Sequence, residues 1–308
     1  MKVYTLDIHS GDRDPILYPD SGDYTIHLKN PVYNVTNISL VSARVPNSQT
    51  LINQYNNTFA IGSIGVSLPN GQYTLSELAD VIDTESTAIT SVIKDTSNNT
   101  ISFTFGSASS FDFNTGIHGY TSSNTHTTPH DILGLPADDV LTDNNIIQTG
   151  YVNVNGPDSI ILKLSSGSSE FNKTVYSKNP YYTGVLMTNG AFGETTTYIG
   201  EEDPIEHEFY SAPENTINSI RVQLYTKSNN RLIPYDTRNA NHVLKFKITC
   251  STDKLENVAK EERDFSLPPP IHVPEFEDVN RWDAFVSIFF IILIGFILLL
   301  VSKKKPAT

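Results

Sequence analysis

Along the first 250 residues, apolar and polar positions alternate in short runs broken by Gly, Pro and Asn. Tyr24–Leu28 alternates residue by residue, and so does Ile38–Val45 with one doubled apolar pair, a period that predicts half-buried strands. Further strands are expected at Ala60–Leu68, Ile89–Ile93, Thr100–Phe105, Tyr151–Val154, Ser159–Leu164, Ile217–Tyr225 and Val243–Cys250. Asp95-Thr96-Ser97-Asn98-Asn99 has turn chemistry and joins two of these as a hairpin, and Asn229-Asn230 marks another turn. One segment departs from this period. Leu75, Leu78, Ala79 and Ile82 recur at helical spacing, with Thr74 and Glu77 placed as a capping box. Pro69-Asn70-Gly71 before the helix and the hairpin after it predict a compact unit with the helix laid over a sheet edge.

After the last strand the pattern changes twice. Residues 254–265 are highly charged and lead into Leu267-Pro268-Pro269-Pro270-Ile271-His272-Val273-Pro274, an extended, semi-rigid composition. Extended throughout, Leu267 to Arg281 reaches roughly 45 Å, the length of a stalk. From Ala284 to Val301 the chain is apolar, interrupted only by Ser287 and Gly295. Eighteen residues make a helix roughly 27 Å long, close to the hydrocarbon thickness of a bilayer. Trp282 lies at its start, where an indole suits the headgroup level, and Lys303, Lys304 and Lys305 stop it. A core helix of a soluble protein would keep a polar face over such a length. The expected anchor therefore comprises Trp282, Phe285, Phe289, Phe290, Gly295, Phe296 and the three lysines. The sequence divides into a β-rich head at 1–250, a stalk at 251–281, a transmembrane helix at 282–302 and a basic tail at 303–308. The head could hold one sandwich or two.

Composition narrows the function. Formal net charge is -13, and the tail lysines stand apart from the acidic bulk. Phosphate-backbone recognition needs clustered Lys and Arg, so nucleic acid is an unsuitable partner. Cys250 is the one cysteine, which excludes an intrachain disulfide and fits a reducing compartment. The opening residues MKVYTLDIHSGDRD hold no apolar signal core, so a late-inserted C-terminal span with a cytosolic head is expected. The lysines alone point the other way by the positive-inside rule, but the short tail emerges last and weighs less. Asn34 and Asn172 stand in glycosylation sequons that would stay bare on the cytosolic side.

Candidate chemistry is thin. His126 and His130 are four apart with Asp131 adjacent, but Pro129 and two Thr forbid the helix that would bring both imidazoles to one face. Glu201, Glu202, Asp203, Glu206 and Glu208 lack calcium-loop spacing and read as a solvated acidic turn. Arg13 among Asp12, Asp14, Asp20 and Asp23 reads as an ion-pair knot that shapes a turn. Residues 107–145, rich in Ser, Thr, Asn and Gly, read as long loops anchored at Asp131-Ile132-Leu133-Gly134-Leu135. Phosphate loops, dinucleotide fingerprints and nucleophile elbows are absent from the sequence. No cofactor and no catalysis are expected. The fold class expected is all-β, a jelly-roll-type sandwich head with one short helix.

The opening block adds a resemblance. Leu6-Asp7-Ile8-His9-Ser10-Gly11-Asp12-Arg13-Asp14, then Tyr18-Pro19, Asp23–Leu28, Val35–Gln49 and Asn56-Asn57-Thr58-Phe59, is similar to the start of minor capsid proteins from large nucleocytoplasmic DNA viruses of the phycodnavirus and mimivirus-like groups. Leu68–Thr74, Asp131–Leu135 and Val154–Ile160 resemble later blocks of that family, and 217–248 resembles its closing strands. Gly11-Asp12 is inserted into the usual opening pattern. The resemblance implies a structural protein of the virion, bridging the icosahedral shell to an internal viral membrane after assembly in host cytoplasm. Its partners would be the major and other minor capsid proteins, with Asp12, Arg13, Asp14, Arg44, Asn47 and Gln49 as candidate contacts. Three alternatives are a membrane-anchored surface or receptor-binding protein, a tail-anchored hydrolase using His126, His130 and Asp131, and a phage baseplate part. The span disfavours the last.

Overall fold

The computed structural model describes residues 1–116, 118–171, 182–201, 203–209, 213–229, 231–252 and 279–302. Two strands open the chain, β1 (Lys2–His9) and β2 (Asp23–Pro46). An insert follows, with β3 (Thr58–Ile61), β4 (Ile64–Ser67), α1 (Leu75–Glu85), β5 (Ile89–Asp95), β6 (Thr100–Phe105), β7 (Ser110–Asp112), β8 (Val140–Leu141) and β9 (Ile146–Gln148). The chain then returns through β10 (Ser159–Ser166), β11 (Ser169–Glu170), β12 (Gly184–Met187), β13 (Thr195–Ile199) and β14 (Ile205–Glu208). The last elements are β15 (Glu214–Ser228), β16 (Arg231–Pro234), β17 (Val243–Cys250) and α2 (Val279–Ser302). The fold is mostly β, as the alternation predicts, with an apolar C-terminal helix. Residues 1–257 form one compact unit and 258–308 another.

The first unit has two hydrophobic cores. The larger lies within a ten-stranded antiparallel system, ordered β1-β17-β2-β15-β10-β11 with β12 on β10, β13 and β14 on β2, and β16 on β15. It buries Ile8, Tyr24, Leu40, Leu162, Val222 and Phe246 among others. Strand β2 makes this possible. Its first part pairs with β15 and its second with β17, β13 and β14, and the register on β15 slips near Pro31. Asn34 there takes φ 51° and its carbonyl accepts from Ser251 N, so the bend is held by the end of β17.

The smaller core belongs to the insert. Phe111 packs edge-on against Phe59, Phe103, Phe105 and Phe113, with ring centres 5.4–5.9 Å apart. Helix α1 closes one side with Leu75, Leu78, Ala79 and Ile82, all buried. Its capping box is formed as expected: Thr74 Oγ1 accepts from Glu77 N, and the Glu77 carboxylate accepts from Thr74 N. Four readings need correction. Ala60–Leu68 is a hairpin and not one strand, because Gly62 turns the chain at φ 59°. Tyr151–Val154 is irregular, although Val152 is buried. Residues 107–145 are less loop-like than their composition suggests, since they supply β7, β8, Phe111, Phe113 and Leu133 to the core. In the acidic stretch, Ile205–Glu208 is strand β14.

Residues beside β1 and β17 meet Tyr24 of β2 at a buried polar knot. His242 lies against Tyr24, its Nε2 2.9 Å from the phenol oxygen, and its backbone N–H donates to Ser10 Oγ. Burial, then the charges of His9 and Arg13, hold the imidazole down to about 4. The unfolded chain therefore binds an extra proton between pH 6.5 and about 4, and folding stability falls as pH drops through that window, by about 3 kcal/mol. In the His242→Gln variant the thermal midpoint should lose most of its slope between those values. Parallel pH profiles for the two proteins would remove His242 as the cause.

Candidate interaction surface and membrane anchor

Helix α2 carries 18 residues, Phe285–Ser302, with a mean hydropathy of 3.1 and no side chain buried by the protein. Phe285, Phe289, Phe290 and Phe296 are exposed around it, and nothing approaches Gly295. A helix apolar on all sides and uncovered has the length and composition to cross a membrane. Trp282 is within the helix, but its side chain lies outside the described residues, as do Lys303, Lys304, Lys305 and the stalk from 253 to 278. The sequon at Asn172 and the second residue of the Asn229-Asn230 turn lie outside them too.

In the head, the six opening-block candidates separate. Arg13 does not form the expected ion-pair knot: its guanidinium donates to the carbonyls of Ser10, Tyr18 and Pro19 and to Asn241 Oδ1. Asp14 caps its own turn through Ile16 N and Leu17 N, while Asp23 holds Arg221 through two 2.8 Å bonds. Asn47 is buried, donates to Gly190 O and accepts from Thr196 Oγ1. Gln49 accepts from Asp236 N. These four groups build the fold. Asp12 and Arg44 remain exposed, Arg44 on the outer face of β2.

Side-chain candidates thus give way to a backbone one. Strand β1 pairs with β17 over its whole length and ends the sheet order on that side. The same register continues to Ser10, whose N–H donates to His242 O, so even-numbered residues of β1 are the hydrogen-bonded pairs. The N–H and C=O groups of Val3, Thr5 and Asp7 therefore point away from β17, along an edge that no strand among the described residues covers. Lys2 and Asp7 are its charged residues, and it carries no proline. Such an edge is a template for another strand. Sequence reasoning left residues 2–9 unassigned although Tyr4, Leu6 and Ile8 alternate with Thr5, Asp7 and His9; that alternation signals a strand, while its place at an edge is set by pairing.

The His126–Asp131 stretch is split between partners. His126 is exposed and faces Tyr55 at 5.9 Å between rings, with Nδ1 2.9 Å from Ser123 Oγ. His130 is buried, with Nδ1 2.8 Å from Thr128 Oγ1 and Nε2 3.0 Å from Asp131 Oδ1 without hydrogen-bond alignment. Burial pushes the Asp131 carboxyl up, yet His130 and Ser228 outweigh it and hold it below its ordinary value. Asp131 accepts from Ser228 Oγ and thereby ties the insert to β15. Among the described residues no three ligating side chains gather for a metal.

Residues 2–85 match a family of unknown function, DUF5901. The matched stretch covers the opening block, β2, the first insert hairpin and α1. No curated protein matches the sequence. Among solved structures, the mavirus penton protein aligns with 82% of this chain and 100% of its own at 6% identity and a TM-score of 0.38. A Sputnik virophage chain aligns with 80% of this chain and 98% of its own at 13% identity and a TM-score of 0.28. Scores this low carry no inference about fold or function.

Two arginines in the middle of α2 test the anchor. On insertion scales each costs about 3 kcal/mol at a helix centre, so Ile292→Arg with Leu293→Arg should move the chain into the alkaline-carbonate supernatant. Retention of that variant in the membrane pellet would exclude α2 as the attachment.

Proposed function

We propose that this chain is a structural protein of a virus particle, a minor capsid protein that tethers the icosahedral shell to an internal membrane. The observation that carries this reading is the union in one polypeptide of a large β unit and an uncovered apolar helix. The opening block, which resembles minor capsid proteins of large DNA viruses, supports it. So does strand pairing in the head: β1 with β17 and β2 with β15 are nested, first with last, in the manner of a jelly-roll-type sandwich. The Pro-rich sequence ahead of α2 has the composition of a spacer, and the acidic charge of the chain does not suit a nucleic-acid partner.

In this reading the head binds neighbouring capsid proteins and α2 crosses the internal membrane, with assembly in host cytoplasm. Backbone pairing at the β1 edge is the head's contact, supplemented by Arg44 and Asp12. The chain has no catalytic role and carries no cofactor.

Two outcomes are expected. In sealed vesicles bearing the full chain, protease added outside should digest the head, and mass spectrometry of the undigested chain should find no sugar on Asn34 or Asn172. A protected, glycosylated head would instead favour a surface or receptor-binding protein. Thr5→Pro removes an N–H that points to the free edge, a position where an edge strand tolerates proline. It should leave the thermal midpoint nearly unchanged and abolish co-purification with capsid proteins from infected-cell particles. Undiminished co-purification would exclude the β1 edge as the contact.

A further inference from the structure

Two clefts flank the β15–β16 hairpin. One, of about 590 Å³, follows the seam where residues 51–56 and 127–132 of the insert face the hairpin. The other, of about 450 Å³, lies between the loop at 17–20 and β15 and β16. Tyr55 lines both, and the consecutive residues Ile233 and Pro234 line one and the other. Each falls in the size range of sites for small organic ligands.

Their chemistry is uncommon for a structural seam. The smaller cleft sets Tyr18, Tyr55 and Tyr225 beside a locked planar array. Asp23 receives two bonds from Arg221 and a third, of 3.1 Å, from Gln223 Nε2. The larger is walled by amides and hydroxyls, among them Gln49, Asn153 and Ser228, with Asn53 and Thr128 bonded to Thr50 O and His130 Nδ1 behind them and Thr127 Oγ1 2.9 Å from Ser228 Oγ. Such groups both donate and accept and sit in fixed orientations, while tyrosine rings offer apolar faces with a polar tip. That combination suits a ligand with dense hydroxyls and apolar C–H faces.

Other ligand classes fit poorly. Asp20, Asp23, Asp131 and Asp158 line the clefts against two cations, Arg221 and Lys227, and Arg221 is already paired with Asp23. A phosphate or carboxylate ligand would meet net negative charge. Strand addition is blunted at β16, whose Pro234 has no N–H to offer, and β15 is already flanked by β2, β10 and β16. We propose that the two neighbouring clefts bind a neutral oligosaccharide, with Tyr55 as the shared platform and Gln223 and Asp23 as the hydroxyl-binding group. This binding is independent of the membrane tether.

The test uses the full chain in detergent micelles. Saturation-transfer NMR is run against neutral gluco-, manno-, galacto-, xylo- and N-acetylglucosamine oligomers, and against an uncharged peptide of similar length. At least one sugar should bind with a Kd of about 1 mM or tighter. Tyr55→Ala should weaken it about tenfold and Gln223→Ala about threefold, and Tyr151→Ala, at an exposed ring outside both clefts, should leave it unchanged. If Tyr55→Ala fails to fold by circular dichroism, the Gln223→Ala result decides. No sugar response at about 10 mM overturns the proposal. So does a response that Gln223→Ala leaves intact, or saturable binding of the peptide alone.

Discussion

Strand β2 is the member on which the head depends. Its 24 residues pair with β15 at one end and with β17, β13 and β14 at the other. A strand that long cannot stay flat while its partners change; the slip near Pro31 and the positive φ of Asn34 let it turn. Side chains from both parts, Tyr24 and Leu40 among them, then meet in one core. Each backbone pairing is a modest contribution, but the strand's inward residues face the core only if the register on every neighbour is kept.

The insert has a core of its own and is joined to this frame by polar contacts. Arg231 on β16 donates to the carbonyls of Tyr120 and Ser123 and lies over the Tyr120 ring, 5.0 Å from its centre. Ser228 links Thr127 and Asp131. Polar joints of this kind leave the clefts beside the hairpin lined by directional groups. The Asp131–Leu135 stretch serves the same end: Gly134 takes φ 62°, and a Cβ there would come within 2.5 Å of the Tyr151 carbonyl. The turn fits because the residue is glycine, and Leu133 beside it fills the insert core.

Much of the head's external character follows from what the opening block does not do. Arg13, Asp14, Asn47 and Gln49 read as surface recognition groups in one dimension, yet each meets a backbone group of its own chain. A polar side chain near unpaired carbonyls or N–H groups is drawn to them. At buried Asn47 the unsatisfied groups would cost more than a surface contact gains, and at exposed Asp14 the bonds are a local turn cap. Among the described residues, the edge of β1 and the clefts at the hairpin stand beside exposed Asp12 and Arg44, and neither the edge nor the clefts is a motif.

The sequence by itself determined the elements whose cause is local. Alternation set the long strands, helical spacing with Thr74 and Glu77 set α1, and a nearly unbroken apolar run set α2, because the period and length of an apolar pattern are written into residue order. Tertiary structure alone decided the rest. The division into two cores, the turn at Gly62, the order hidden in residues 107–145 and the meeting of two cleft walls at Tyr55 arise from contacts between residues far apart in the chain. So does the free edge of β1, since an edge is defined by which strand is missing beside it.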